Sequence, residues 1–445
     1  MTVQLEETTV SSPEIVKRDP LAMIKGAFQS RRHLEDTIST LLDIWKGFFV
    51  FFMITEHTRS SLNVSMAANR YPWMHFVSQV ACALDMTTFS TAYGFSCWRS
   101  YLSGFKSRPF GETAGRLLRS VGMIYTSALI CNITFATQVL NEEPTFKLFL
   151  ELATLSTVYW DFIFTFIFLL LLGLVFTGPI LRFAAKQSTI LKFSLFALTL
   201  AVPLCFANET FAVHAGSPND CNTVPGRYLA LFVGCSPTQF RGTRFPAIPY
   251  MFFFNLGCIL SIASIELGNS LPDAARPADV EEEPLISPPI ETTPTKTYLW
   301  FFGFVLLIDA LFALPLFAHF SEPWEEYNRT FKSESGLSLH YLRFPLSAPL
   351  ALGWGFMSFL ALCCSVAVYL YFKPIAKILE SFGANVLLYF TFNALLINGF
   401  FRTSWREAAA DPRAAGRWQV MTLLFGLGSL GATSFLIYMG RSARK

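Results

Sequence analysis

Residues 42–59 read LDIWKGFFVFFMITEHTR, and this stretch decides the fold. Nine consecutive residues in its middle carry no charge, whereas Asp43 and Lys46 precede them and Glu56, His57 and Arg59 follow. The pattern predicts a transmembrane helix with ionisable side chains close to the hydrocarbon. Such a side chain costs about 2.5–3.5 kcal/mol at the centre of a membrane helix, so its presence indicates a function by default.

The composition of the whole chain agrees with a membrane protein. Hydrophobic residues make up 53% of its 445 residues, charged residues 15%, and 47 residues are phenylalanine. The mean hydropathy is +0.43. A soluble globular protein carries roughly 25% charged residues, so this chain lacks the polar side chains that would cover a soluble core. The net charge of +3 is too small to predict a nucleic-acid partner, and we expect none.

Apolar stretches of about 20 residues are long enough to cross a bilayer. On that basis the sequence predicts an all-α, polytopic helical bundle of about ten transmembrane helices. The predicted spans are 38–57, 73–97, 116–138, 158–180, 190–207, 247–267, 298–318, 344–372, 383–401 and 418–439. A further apolar stretch at 146–157 is short, and we expect either a re-entrant or interfacial helix there or an eleventh span.

The distribution of charges orients these spans. Cytosolic loops of membrane proteins carry an excess of Lys and Arg, which places both termini and the basic loops in the cytosol. The opposite side receives glycosylation sequons at Asn63, Asn208 and Asn328, whereas a sequon at Asn132 falls inside a span and should be unused. With no apolar signal peptide near the N-terminus, the sequons favour a eukaryotic endomembrane (ER, Golgi or lysosome) or the plasma membrane.

The polar segments divide the chain into four parts. Residues 1–36 form a predicted cytosolic polar tail, 37–267 a first part of the bundle with about six spans, and 298–440 a second part with about four. Between them, residues 268–297 are rich in Pro, Glu and Thr and contain no aromatic residue, which predicts a disordered cytosolic linker.

The spacing within the first span indicates a shared helix face. Lys46 and His57 are eleven residues apart, which is three turns plus roughly 20°, and about 16 Å along the axis. Asp43 precedes Lys46 by three positions, close enough to neutralise it. One face thus carries an ion pair toward the cytosol and an imidazole toward the lumen. The alternative is that all three are ordinary residues of the membrane interface.

Basic residues cluster between the second and third predicted spans. They suit a polyanionic ligand such as the phosphates of a nucleotide-containing cofactor, or they serve only to orient the protein and contact anionic lipids. The cluster consists of Arg99, Lys106, Arg108, Arg116 and Arg119.

Cysteines and histidines give a weaker signal. The nine cysteines show no CxxC spacing, and only Cys221 and Cys235 share one polar loop, where a disulfide requires an oxidising compartment. Five of the six histidines fall on the predicted lumenal side, where they suit general base chemistry or a metal. Because no pair has helical or tight-loop ligand spacing, we expect no metal.

The run from Leu42 to Arg59 resembles the first helix of the transmembrane acyltransferase superfamily. That superfamily joins the acyltransferase-3 family and the heparan-α-glucosaminide N-acetyltransferase-like proteins. Its signature is Leu-Asp, a short gap, a basic residue followed by Gly, and a His about three helical turns beyond the basic residue. Here Leu42, Asp43, Lys46, Gly47 and His57 meet it. Similar matches follow in chain order at Trp73-x-His75-Phe76, Tyr93-Gly94-Phe95-Ser96, Arg116 with Arg119, Phe245-Pro246 through Gly257, Arg343-Phe344-Pro345 and Gly383 through Leu396.

The resemblance implies transfer of an acyl group, acetyl above all, from cytosolic acyl-CoA to a hydroxyl or amine of a lumenal sugar or glycolipid. His57 would act as general base or carry the acyl group, and Lys46 would stabilise charge on acyl-CoA or hold the helix in register with Asp43. On this interpretation Glu56 completes the catalytic set. The basic cluster would bind the phosphates of acyl-CoA, and the acceptor side would include Arg59, His75, Arg343 and Asn393.

Two other classes of protein stay open at this point. A secondary transporter also needs intramembrane charges and about ten spans, although no internal repeat is visible in the sequence. A non-catalytic member of the superfamily is suggested by Phe392, which stands where the resemblance calls for a late histidine. A homodimer is compatible with either class.

Overall fold

The computed structural model describes residues 30–61, 72–103, 110–139, 142–155, 162–214, 224–233, 245–271, 295–318, 346–396 and 415–442. Within these ranges every regular element is a helix. The helices are α1 Arg31–Ser61, α2 Pro72–Cys97, α3 Phe110–Val139, α4 Phe146–Ala153, α5 Phe162–Leu172, α6 Gly178–Ala184, α7 Thr189–His214, α8 Val224–Val233, α9 Ala247–Asn269, α10 Thr295–Ala318, α11 Ala348–Tyr371, α12 Lys373–Ala384, α13 Val386–Ala394 and α14 Ala415–Ser442. One π-helical turn, Trp98–Leu102, follows α2, and a second, Gly173–Thr177, joins α5 to α6.

The helices coincide with the predicted spans. Over the described residues, seven are long and apolar enough to cross a membrane, or eight if α12 and α13 form one bent span. The two remaining predictions, 73–97 and 418–439, fall on α2 and α14, which have 26 and 28 residues. The prediction of a polytopic, all-α membrane protein is therefore confirmed. Most of the predicted tail (1–29) and linker (272–294), and both Cys221 and Cys235, lie outside the described residues.

The short apolar stretch at 146–157 forms α4, which has eight residues. Its N-terminus is capped by Thr145, whose hydroxyl accepts a hydrogen bond from the backbone N–H of Leu148 at 3.2 Å. Eight residues rise about 12 Å, less than half of a hydrocarbon core of about 30 Å. The described helix is therefore too short to cross the membrane, which favours the re-entrant or interfacial alternative.

Two predicted loops contain helices: α8, Val224–Val233, lies in the polar loop between Cys221 and Cys235, and α12 occupies the predicted loop over 373–382. The sequence pattern predicts a cytosolic loop over 373–382 and a single span over 383–401, but the chain forms α12, bends by 75° at a break and continues as α13. Ala376, Leu379, Phe382 and Gly383 are buried at helical spacing along α12. The loop prediction was wrong because the lysines of this segment concealed its amphipathic pattern.

Glycines bring α1 and α12 into backbone contact. A Cβ added at Gly47 of α1 would overlap the backbone carbonyl of Leu379, and one added at Gly383 would overlap the carbonyl of Asp43. Small residues permit such close approach between membrane helices. We call Asp43, Gly47, Leu379 and Gly383 the α1–α12 seam.

A second reciprocal contact joins α2 to α9. A Cβ at Gly94 would overlap the carbonyl of Phe254, and a Cβ at Gly257 would overlap the carbonyl of Thr91. Both glycines belong to stretches that carry the sequence resemblance, so two motifs far apart in the sequence are the two halves of one helix contact.

The first helix lies at the centre of the bundle. It packs against α2, α11, α12 and α14, and its side chains Ile44, Phe49, Val50 and Ile54 are at most 1% exposed. The stretch that decides the fold is thus also the one around which the other helices assemble.

Candidate active site

The predicted catalytic residues share one uninterrupted helix. Helix α1 continues from Arg31 through Glu56, His57 and Arg59 to Ser61, while its described side chains end at Ile54. The spacing argument for Lys46 and His57 therefore holds for the backbone, which places them on one face about 16 Å apart along the axis. The geometry of the imidazole itself lies outside the described side chains.

Asp43 and Lys46 form the predicted ion pair. Lys46 Nζ lies 2.5 Å from Asp43 Oδ1, and the two side chains are 22% and 24% exposed. The backbone of the same turn is fixed by the α1–α12 seam, because the carbonyl of Asp43 lies against Gly383 and Gly47 lies against Leu379. The pair is thus held in place by a rigid helix contact while its charged atoms stay partly accessible.

Arg99 turns from the end of α2 into the bundle. Its Nη2 donates a hydrogen bond to Ser264 Oγ of α9 at 3.1 Å, and its guanidinium carbon lies 4.9 Å from the centroid of the Phe95 ring. Its Nε is buried without a hydrogen-bond partner in the described part of the chain. The described residues also give Arg99 no ion pair.

Other charges surround Arg99 at this end of the bundle. Arg31 pairs with Glu35 on α1, with Nε and Oε1 3.2 Å apart, and its side chain lies against Gly268 of α9. Burial lowers the pKa of Arg99, the Glu35 carboxylate opposes this and Arg31 adds to it. Because a guanidinium stays protonated in proteins, Arg99 is a partly desolvated cation without an ion pair in the described residues.

The other basic residues do not join Arg99. Arg116 Nη2 lies 2.6 Å from Glu112 Oε1 on α3, and both side chains are about half exposed. Arg119 is exposed as well, and Lys106 and Arg108 lie outside the described residues. Tyr101 and Ser120 share a 3.0 Å hydrogen bond that joins the π-helical turn to α3. Among the described members of the basic cluster, only Arg99 faces inward.

A buried ion pair near Arg99 is not among the predicted site residues. Lys192 of α7 lies 2.9 Å and 3.3 Å from the two carboxylate oxygens of Glu266 in α9, and the side chains are 3% and 12% exposed. A signal was present in the sequence, since these opposite charges stand at the cytosolic ends of two predicted spans. Such a pair joins α7 to α9 and supports the wall behind Ser264.

Three equally spaced residues of α1 give the distances along its axis. Glu35, Lys46 and His57 are each eleven residues apart on α1, so each step is about 16 Å and all three fall on nearly the same face. Glu35 therefore lies about 33 Å from the His57 backbone along the axis of α1, roughly the thickness of the hydrocarbon core. Lys46 stands midway.

The predicted acceptor-side residues are dispersed. Asn393 of α13 is buried and its Nδ2 donates to Ser429 Oγ of α14 at 3.2 Å, which is a helix-to-helix contact. Neither the side chain of His75, on α2, nor that of Arg59 is described, and Arg343 lies outside the described residues. Asn132 is buried in α3 with its amide bonded to the Ala128 carbonyl at 2.9 Å, as expected of an unused sequon.

Metal ligands do not cluster in the described part of the bundle. No group of three or more His, Cys, Asp or Glu side chains there is arranged to hold a metal ion. The expectation that the protein's chemistry needs no metal stays a prediction.

Residues 39–282 match the family described as "Heparan-alpha-glucosaminide N-acetyltransferase, catalytic", which is more than half of the chain. The chain belongs to this family. The match begins within α1 just before Asp43, contains α2 to α9 and ends within the linker, so the Lys46–His57 face and Arg99 lie inside it. No curated protein and no solved structure matches the chain. The resemblance of the first span to the heparan-α-glucosaminide N-acetyltransferase-like proteins is therefore confirmed. The wider link to the acyltransferase-3 family stays a prediction.

Proposed function

We propose that this protein is a transmembrane acetyltransferase that uses cytosolic acyl-CoA and delivers the acyl group to a hydroxyl or amine of a lumenal sugar or glycoconjugate. The observation that carries the proposal is the family match over 39–282, which contains the stretch of α1 from Asp43 to His57. Family membership shows a membrane acetyltransferase. The proposal adds the acyl donor, the direction of transfer and the residues that carry out the reaction.

Arg99 is the residue that best suits the phosphates of acyl-CoA. It has a buried, unpartnered Nε and no carboxylate partner in the described residues, and an Arg fork matches phosphate geometry. Arg116 is already paired with Glu112, so Arg116, Arg119, Lys106 and Arg108 would contribute long-range attraction at the entrance.

The axial distances constrain how the donor is used. A donor that enters from the end of the bundle where Arg99 lies passes Lys46 before its thioester reaches His57, which is about 16 Å further along α1. Lys46 lies halfway, partly accessible and held by Asp43, where it would stabilise negative charge on the donor as it passes.

His57 is the proposed general base, with acyl transfer through its imidazole as the alternative. As a base it takes the proton of the acceptor hydroxyl or amine while the acceptor oxygen or nitrogen attacks the thioester carbonyl. The C–S bond then breaks and the leaving thiolate of CoA takes up a proton. In the alternative, the imidazole nitrogen attacks the thioester carbonyl, the C–S bond breaks and CoA leaves as a thiol; the acceptor then attacks the acyl-imidazole, the acyl–nitrogen bond breaks and the imidazole takes up the acceptor's proton. Glu56 completes the proposed catalytic set, and Arg59, His75, Arg343 and Asn393 are the proposed residues around the acceptor.

The protein is a multi-pass membrane protein, and we propose a eukaryotic endomembrane or the plasma membrane as its location, with both termini in the cytosol. The sequons at Asn63, Asn208 and Asn328 support this orientation. The partners on this proposal are the bilayer and a lumenal carbohydrate or glycolipid, with a homodimer compatible.

Acetyl-CoA turnover by the purified protein in detergent tests the proposal. We expect release of CoA and acetylation of an amino sugar or sugar hydroxyl with no ion gradient present, because acyl transfer needs none. A protein that consumes no acetyl-CoA over a panel of such acceptors, yet moves a solute across a proteoliposome membrane, would be a transporter. Neither activity would indicate the non-catalytic alternative that Phe392 suggests.

A further inference from the structure

Asp309 is a carboxyl in the middle of a membrane helix. It lies fourteen residues, or about 21 Å, from the start of α10, and it is 3% exposed. The neighbouring side chains Leu307 and Leu311 on α10 are 58% and 60% exposed. Helix α10 therefore presents its flanks to lipid and this one carboxyl to the protein.

The carboxyl lies directly against Gly355 of α11. A Cβ added at Gly355 would stand 2.5 Å from Asp309 Oδ2 and 3.0 Å from its Cγ, so only a glycine leaves room for the group. The other oxygen, Oδ1, is buried and has no hydrogen-bond partner among the described residues. The position is shaped for a carboxyl, yet the described helices supply no donor to it.

The described residues also supply no cation. The only other charged residue of α10 is Lys296, thirteen positions earlier and about 20 Å away along the axis. Helix α11 contains no Asp, Glu, Lys, Arg or His. Its titratable groups begin eight residues beyond Gly355, about 12 Å along the axis, and are Cys363, Cys364, Tyr369 and Tyr371.

Helix α7 also packs against α10 and contains Lys192, Glu209 and His214, of which only the Lys192 side chain is described. It packs beside α10 through Phe193 and Tyr298, whose ring centroids are 5.1 Å apart. Its buried cation, Lys192, is paired with Glu266. None of the described groups compensates an ionised Asp309.

A carboxylate without a partner is strongly unfavourable in this environment, and a buried acid usually escapes the penalty by taking up a proton. We propose that Asp309 is an intramembrane proton-binding site, which holds its proton while α10 packs on α11. Loss of the proton places a bare charge at this helix contact and loosens it. Asp309 lies beyond residue 282, where the family match ends, and the proposal does not depend on acyl transfer.

A hydrophobic carbodiimide tests the proposal on the wild-type protein, because it reacts with protonated carboxyls within the bilayer. With the protein in lipid nanodiscs at neutral pH, we expect an adduct at Asp309, located by peptide mass spectrometry, that becomes weaker as the pH is raised. Asp43 and Glu266, each paired with a lysine, serve as internal controls and should stay unmodified.

Infrared spectroscopy gives a second measurement that does not require the reagent to reach the site. The carbonyl band of a protonated carboxyl should be present in the wild type and absent from Asp309→Asn. If that variant does not accumulate, Asp309→Glu shifts the same band and assigns it. Absence of both the adduct and the band would overturn the proposal, since Asp309 would then be ionised and paired.

Discussion

Two aspartates in this bundle stand at glycine contacts between helices and differ in their charge balance. The backbone of Asp43 lies against Gly383, and the carboxyl of Asp309 lies against Gly355. Asp43 is 24% exposed and paired with Lys46 at 2.5 Å, whereas Asp309 is 3% exposed and has no ion pair among the described residues.

The difference comes from the sequence around each aspartate. Lys46 follows Asp43 by three positions, where a helix brings side chains together. Around Asp309, the positions three and four residues away are Val305, Leu306, Phe312 and Ala313. One carboxyl is thus neutralised by its own helix, and the other depends on its tertiary surroundings. This is why the first suits a role with a charged ligand and the second the binding of a proton.

Filling the glycine contact at Asp43 should have the largest effect. Gly383→Leu puts a side chain where the Asp43 carbonyl stands, so α1 and α12 must separate. Overpacking of a core costs about 1–3 kcal/mol and occasionally more, and because backbone atoms are displaced here we expect at least about 3 kcal/mol. Thermal unfolding in detergent measures this loss of stability. Gly303→Leu on α10 is the control, since nothing lies within 4 Å of a Cβ there. Equal loss in both variants would contradict the seam.

Arg99, like Asp309, has no ion pair in the described residues, but it is a cation and lies at the end of the bundle. Arg99→Ala should raise the KM for acetyl-CoA about tenfold to a hundredfold with a smaller change in kcat, since a charged hydrogen bond contributes about 1.5–3 kcal/mol. Arg99→Lys should restore part of the affinity. Lys186→Ala, at an exposed lysine, is the control, and an unchanged KM in Arg99→Ala would exclude Arg99 from the donor site.

Removing one charge of the Asp43–Lys46 pair should have a moderate effect. Asp43→Asn leaves the lysine without its partner; because the pair is about one quarter exposed, we expect about 1–2 kcal/mol, below the 3–5 kcal/mol of fully buried pairs. Adding Lys46→Gln should recover part of that loss. Unfolding temperatures of both single variants and the double variant measure the coupling, and strict additivity would show that the pair contributes nothing.

The same change at Asp309 should have the smallest effect. Asp309→Asn replaces a neutral acid by a neutral amide of the same shape, so we expect a smaller loss of stability, measured by thermal unfolding in detergent, than for Asp43→Asn. Asp309→Asn as the more harmful of the two would reverse the comparison and imply that Asp309 is ionised.

The sequence was informative where the signal is local. Apolar run length predicted a helix at each of the ten spans, and the three-residue spacing predicted the Asp43–Lys46 pair. Contacts between helices that are far apart in the sequence could not be predicted. The opposition of Gly47 to Leu379 and of Gly355 to Asp309 depends on how the helices pack, and so does the inward turn of Arg99 away from Arg116. The helix over Lys373–Ala384 was missed for a different reason, because its lysines resembled those of a cytosolic loop.

His57→Ala tests the central claim most directly. The measurement is acetyl transfer from acetyl-CoA by the purified variant, compared with wild type of equal unfolding temperature and equal glycosylation at Asn63, Asn208 and Asn328. General base catalysis contributes about 10²- to 10⁴-fold, so we predict that turnover falls at least about a hundredfold. Full turnover in a folded, glycosylated His57→Ala protein would contradict the proposal that acyl transfer takes place on this face of α1.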